Sequence, residues 1–294
     1  MHPRERRCHM CVRLQFNRVG VNLNQHRRFL VGLALILLAA PIPVARAQAQ
    51  KAADATNAAA LDPEAVASVE KMQTFLKTLT AYSIHVETTT DEVLVAGPKV
   101  QFGGTIDCDA RLPNRLHLTV ARDDKETQEF FYDGTNVAVW IKDRNVWAGA
   151  PVAPTVGEML TQLRSKYTVS FPLDDLLRGA AHGELLNGVT AAVMIGTGIV
   201  GGAACDHLGF HRDGIDVQLW IEQGDSPLPR KRVITTLDEA SQPQHSEIMT
   251  WNLAPKLDDT MFSFTPPAGA EKIVFAESKQ NTAEPKAAKK EGAK

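Results

Sequence analysis

The sequence predicts an α+β protein that is mainly β, a long curved antiparallel sheet with helices covering one face. Three observations carry this. From residue 82 onward apolar and polar residues alternate between turn signals, the period of a half-buried strand. Helical spacing is confined to residues 62–80 and 155–177. Strands and helices do not alternate along the chain, which argues against a parallel sheet built from βαβ units. The count is about ten or eleven strands.

The chain opens on a leader. Arg27-Arg28 precedes the apolar run from Phe29 to Ala40, and Ala45-Arg46-Ala47 closes the segment with small residues at signal-peptidase spacing. A charged flank, about a dozen apolar residues and an Ala-x-Ala exit predict a secretory signal, because a membrane span needs about 20 apolar residues. Residues 1–47 are therefore expected to be removed, leaving no transmembrane segment in the mature chain. Cys8-His9-Met10-Cys11 has CxxC form but lies ahead of the signal with no second pair, so it is read as leader. Residues 48–60 are Ala-rich and polar and read as a linker.

The domain is expected over residues 61–277. Asp62-Pro63-Glu64 is a helix start: Asp caps, Pro sits in the first turn, Glu favours the positive end. Val66, Val69, Met72, Phe75, Leu76 and Leu79 continue at helical spacing through Thr80. Period two begins with Tyr82, Ile84 and Val86, turns at Gly97-Pro98 and resumes at Val100 and Phe102. Leu116, Leu118 and Val120 share a face. Asp133-Gly134 after Phe130-Phe131-Tyr132 is a hairpin signal. Val137, Val139 and Ile141 follow on one face, then Trp147 on a short strand.

Helical spacing returns with Val156, Met159, Leu160 and Leu163, and residues 172–177 predict a second short helix. From Gly188 the chain is strand-like to Met261-Phe262-Ser263-Phe264, with Ile215, Val217, Leu219 and Ile221 facing one way. Val233, Thr235 and Leu237 continue the pattern. Residues 278–294 are rich in Lys, Ala and Glu without apolar periodicity and are expected to be disordered.

The whole chain holds 32 Lys+Arg and 34 Asp+Glu. Residues 1–47 take away eight arginines and one glutamate, so the mature chain is moderately acidic. Such a chain is not drawn to nucleic acid by its net charge. Gly196-x-Gly198-x-x-Gly201 matches a dinucleotide fingerprint, but no helix begins there to hold a pyrophosphate, so a glycine-rich hairpin or bend is expected. Cys205, His207 and His211 would share a strand face as an incomplete zinc set; no fourth ligand accompanies them, and no metal or cofactor is assigned. No GxSxG elbow exists. Asp174-Asp175 and Asp258-Asp259 fall at element boundaries, where caps and turns use Asp. Catalytic residues are not assigned, and the protein is expected not to be an enzyme. Cys108 and Cys205 remain after export, where either one disulfide or two buried thiols is consistent with the sequence.

The residues of the C-terminal half carry a resemblance. Cys205-Asp206-His207-Leu208, Asp216 to Glu222, Pro227-Leu228-Pro229-Arg230-Lys231-Arg232 and Pro243-Gln244-His245 resemble the DUF2092 family of predicted periplasmic proteins. Tyr132-Asp133-Gly134 and Phe171 to Leu177 fit the same pattern, and the likeness spans about residues 62–276. Gly209 and His211 depart from it mildly, where Ala and Arg are usual. The family is similar to the broader lipoprotein-carrier group of LolA and LolB type. That resemblance implies an unclosed antiparallel half-barrel around helices, a periplasmic location, and an acyl chain or lipidated protein as partner. On this expectation Val137, Val139, Ile141, Val217, Leu219 and Ile221 on the sheet, with Met159, Leu160 and Leu163 on the inserted helix, would line an apolar ligand cavity. The alternative is a sensor or envelope-assembly module gripping another protein, with Trp140 and Trp220 exposed on the opposite face.

Overall fold

The computed structural model describes residues 61–276 apart from residues 96, 124, 168, 170, 183 and 184. The expected leader, linker and tail, and the Cys8–Cys11 motif, lie outside the described residues. Helix α1 (Pro63–Leu76) leads into a first run of strands: β1 (Ala81–Val93), β2 (Lys99–Arg111), β3 (Arg115–Arg122), β4 (Lys125–Tyr132), β5 (Asn136–Ile141) and β6 (Val146–Pro151). Helices α2 (Val156–Tyr167) and α3 (Asp174–His182) follow. The second run comprises β7 (Val189–Val200), β8 (Ala203–Arg212), β9 (Ile215–Glu222), β10 (Pro229–Thr236) and β11 (Gln244–Asn252), with the short β12 (Glu271–Ile273) last.

All twelve strands form one sheet in the order β12-β6-β5-β4-β3-β2-β1-β11-β10-β9-β8-β7. Two meanders, β1–β6 and β7–β11, are joined where β1 pairs antiparallel with β11, Ser83 opposite Asn252 through Thr90 opposite His245. The sheet is curved and open, the mainly β architecture the sequence predicts. It holds one strand more than expected. Met261 and Phe262, read as strand-like, end a 3-10 turn (Asp259–Phe262) capped by Asp258, whose carboxylate accepts from Thr260 N at 2.9 Å. The last strand is β12, parallel to β6.

Alternation divides each strand between two faces. The inner face carries Tyr82, Ile84 and Val86 of β1, Ile106, Cys108 and Ala110 of β2, Leu116 and Leu118 of β3, and Phe130 and Tyr132 of β4, all in one core with the helices. Helix α2 covers the first meander: Met159, Leu160 and Leu163 are at most 1% exposed, and Phe171, beyond its end, meets Phe130 at 4.4 Å. Full burial of each such side chain contributes about 1.5–3 kcal/mol. Helix α1 lies over the second meander, where Ser68 Oγ donates to Asp206 Oδ2 of β8 at 3.0 Å.

Asp62 caps α1 as expected, accepting from Glu64 N at 2.9 Å. Its other oxygen accepts from Met194 N at 3.0 Å, which ties the helix start to the edge strand β7. The Met194 amide, with that of Glu64, holds the carboxyl below its ordinary value. The helix ends at Leu76, short of Thr80, because the chain must reverse into β1: Thr78 N and Oγ1 both donate to Phe75 O. Helix α3 starts two residues later than expected and runs to His182. On the outer face, Phe264 lies against Phe131, Trp140 and Trp147, with centroids 5.2, 6.3 and 5.4 Å away, so the C-terminal segment straps β4–β6.

Candidate functional site

The two meanders are covered unequally. Inner-face side chains of β3–β5 are buried, whereas Ile215, Val217, Leu219 and Ile234 on β9 and β10 are only half-buried. A cavity of about 270 Å³ remains between these strands and the helices. It is near the lower end of the roughly 300–1,000 Å³ usual for ligand pockets. Val69 and Met72 of α1, Phe210 of β8 and Met249 of β11 are buried members of its wall. Asp175 and Asn187 are exposed members and mark its open side.

Val217 and Leu219 stand on this wall. The other seven residues expected to line a cavity do not. Val137, Val139, Met159, Leu160, Leu163 and Ile221 belong to the packed core, and Ile141 is 3% exposed at the end of β5. The physical reason is that α2 sits directly on the first meander, filling the space that β5 would otherwise border.

Sequence reading missed the charged part of the wall. Arg164, Arg178, Arg212, Arg232 and Asp175 all border the cavity. Asp174, at the start of α3, accepts from Arg178 Nε at 2.9 Å and from Arg164 Nη1 at 3.4 Å. Arg178 also reaches Asp175 at 3.5 Å. Arg232 and Glu247 are opposite each other on β10 and β11 and share two hydrogen bonds of 2.9 Å. Burial raises the Glu247 carboxyl, but Arg232 and then His245 overcome it and hold the group at about 2. Val233, Thr235 and Leu237 suggested the wrong phase for β10: the inner face there belongs to Arg232 and Ile234, which pair with Leu219 and Val217. The available signal was the complementary charge of Arg232 and Glu247.

The two cysteines are free and buried, the second of the two alternatives that the sequence left open. Cys108 faces inward on β2; Cys205 lies on β8, with four strands between them, in phase with outward-facing His207 and opposite Glu222. A bridge needs Cα atoms within about 7 Å, and opposite faces of one sheet cannot supply it. His207 Nε2 pairs with Gln218 Oε1 at 3.0 Å and stacks on Trp220 at 4.0 Å, and His211 Nδ1 pairs with Asp216 at 2.7 Å. Their partners are therefore local, and among the described residues no three metal-ligating side chains gather. The Gly196–Gly201 motif makes a β-bulge at Gly196 and the hairpin turn into β8, where Gly201 and Gly202 take φ of 56° and 83°. Asp259 pairs with Arg111. Trp140 and Trp220 face outward but are only partly exposed, the first against Phe264 and the second between His207 and Lys231.

A second recess of about 330 Å³ lies at the outer face beside the strap, bordered by Phe131, Trp147, Phe264 and Lys272. Its aromatic walls already contact one another, so the inner cavity is the stronger candidate.

The chain belongs to the DUF2092 family, described as predicted periplasmic proteins, whose model matches residues 65–276. No curated protein matches it. Among solved structures it is similar to the lipoprotein LppX of Mycobacterium tuberculosis, at 20% identity over 67% of this chain and 100% of that one, with a TM-score of 0.43. LprF from Mycobacterium bovis is similar at 14% identity, over 71% and 99% of the two chains, with a TM-score of 0.41. A LolA-superfamily protein from Nitrosomonas europaea is similar at 11% identity, over 68% and 97%, with a TM-score of 0.29.

Proposed function

We propose that this protein is a non-enzymatic periplasmic binder that holds a lipid, an acyl chain or another apolar group between its sheet and its helices. The observation that carries this reading is the inner cavity of about 270 Å³, walled by Met72, Phe210, Val217, Leu219 and Met249. At about 30 Å³ per water-sized group it holds about nine methylenes, enough for one short chain or the end of a longer one. Burying each methylene is worth about 0.8 kcal/mol. The secretory signal expected over residues 27–47 and membership of a family described as periplasmic support the location.

Native mass spectrometry on residues 48–294, purified from an exporting host without detergent, tests the reading. A co-purifying mass that extracts into organic solvent supports it, provided that Leu219→Trp, which fills the cavity, abolishes the adduct in a chain that still unfolds cooperatively. A clean apo mass that stays clean after incubation with envelope lipids refutes it.

A protein partner is the second reading. Edge strand β7 exposes Val193, Ile195 and Ile199, at 51%, 52% and 71%. Under that reading, replacing these three with Ser, Thr and Thr removes a co-purifying envelope protein and leaves lipid content untouched.

A further inference from the structure

The wall of the inner cavity is not neutral. Four guanidinium groups, Arg164, Arg178, Arg212 and Arg232, border it. Three carboxylates answer them: Asp174 bonds Arg164 and Arg178, Asp175 also reaches Arg178, and Glu247 bonds Arg232. Arg212 has no carboxylate partner among the described residues. Among the described residues one net positive charge is therefore left, and it belongs to the last residue of β8. Arg212 is in phase with inward-facing Leu208 and Phe210 and pairs with Ile215 of β9 and Val189 of β7, both also on the cavity wall. It is partly withdrawn from solvent. An unpaired cation beside apolar surface is costly to desolvate, and a guanidinium accepts a carboxylate or phosphate through two parallel hydrogen bonds.

We propose that the ligand is a monoanionic amphiphile, its carboxylate or phosphate head seated on Arg212 and its chain directed toward Met72 and Met249. This rests on the binder reading above and adds the head group to it. One net positive charge among the described wall residues matches one negative charge better than two. The paired arginines frame the site without offering a vacant charge; Arg212 supplies the specificity.

The test titrates decanoate, decyl phosphate, decanol and inorganic phosphate, each by itself, into residues 48–294 and follows binding by calorimetry. Decanoate and monoanionic decyl phosphate are expected to bind at least tenfold more tightly than decanol, and inorganic phosphate alone is expected not to bind. Arg212→Gln should weaken the two anionic amphiphiles by roughly tenfold to a hundredfold, the range for a charge-assisted hydrogen bond, and leave decanol unchanged. Arg212→Lys should recover part of the loss. Arg144→Gln, which removes a surface arginine paired with Glu126 off the cavity wall, should change nothing. Equal affinity for decanol and the anions, with no effect of Arg212→Gln, overturns the anionic head and keeps the binder reading. Binding of inorganic phosphate as tight as decyl phosphate overturns the amphiphile and leaves an anion site. No binding of any chain overturns both readings together.

Discussion

The Arg232–Glu247 pair gives a stability prediction that the structure quantifies. Both groups lie on the inner face, with side chains 14% and 4% exposed. Burial by itself would raise the Glu247 carboxyl; the guanidinium, joined by His245, brings it from 4.5 down to about 2. That fall corresponds to about 3 kcal/mol of folded-state stabilisation at neutral pH. Because the folded value is depressed, the contribution is complete well above 4.5 and is lost as pH falls toward 2. By pH 3 a little more than half of it is gone. Glu247→Gln removes the charge, keeps the shape and strands a buried guanidinium, a change that costs about 3–5 kcal/mol in comparable pairs. For a domain of this size the melting temperature should fall by about 6–12 °C. Urea unfolding at pH 7, 5 and 3 on both proteins is the assay. The gap between them should be about 3 kcal/mol at pH 7 and shrink to about 1 kcal/mol at pH 3. A gap below 1 kcal/mol at pH 7, or one that does not change with pH, would refute the reasoning.

Three further outcomes are expected. Leu160→Ala should lose about 2–5 kcal/mol of stability without altering ligand occupancy, because Leu160 is core and not cavity wall; lost binding in a chain that remains folded would contradict that placement. In residues 48–294, Cys108 and Cys205 should resist a thiol reagent at neutral pH until the chain is unfolded, since burial pushes both thiols up. A purified mass short of two hydrogens would instead show the bridge. Gly104→Ala should lower the melting temperature: its Cβ would stand 2.6 Å from Ala121 O and 2.9 Å from Thr88 Oγ1, an overpacking that typically costs about 1–3 kcal/mol.

Much of the fold is legible in the sequence because its signals are local. Asp133-Gly134 makes the β4–β5 hairpin, with Asp133 Oδ1 accepting from Thr135 N and Asn136 N at 2.9 and 2.7 Å. The Asp62-Pro63 start of α1 forms as predicted. Errors gather where tertiary contacts decide. Leu79 fits the helical spacing of α1, yet the helix stops earlier so that Ala81 can pair with Arg111. Val233 is buried although it faces away from the cavity, which is why apolarity gave the wrong phase for β10.

The sequence by itself determined most of the strands and helices, and the antiparallel character of β1–β11, because turn chemistry and periodicity act between residues a few positions apart; the short parallel β12 and the 3-10 turn before it were not among them. It also located the family through Cys205-Asp206-His207-Leu208 and Pro229-Arg230-Lys231-Arg232. Only the tertiary structure decided that β1 meets β11, that α2 fills one meander while α1 and α3 leave space over the other, and that Cys108 and Cys205 face apart. These depend on contacts between residues more than a hundred positions apart, such as Ser68 with Asp206 and Thr90 with His245. No local pattern encodes such distances, so the cavity and the place of Arg212 on its wall emerge only when the sheet is assembled.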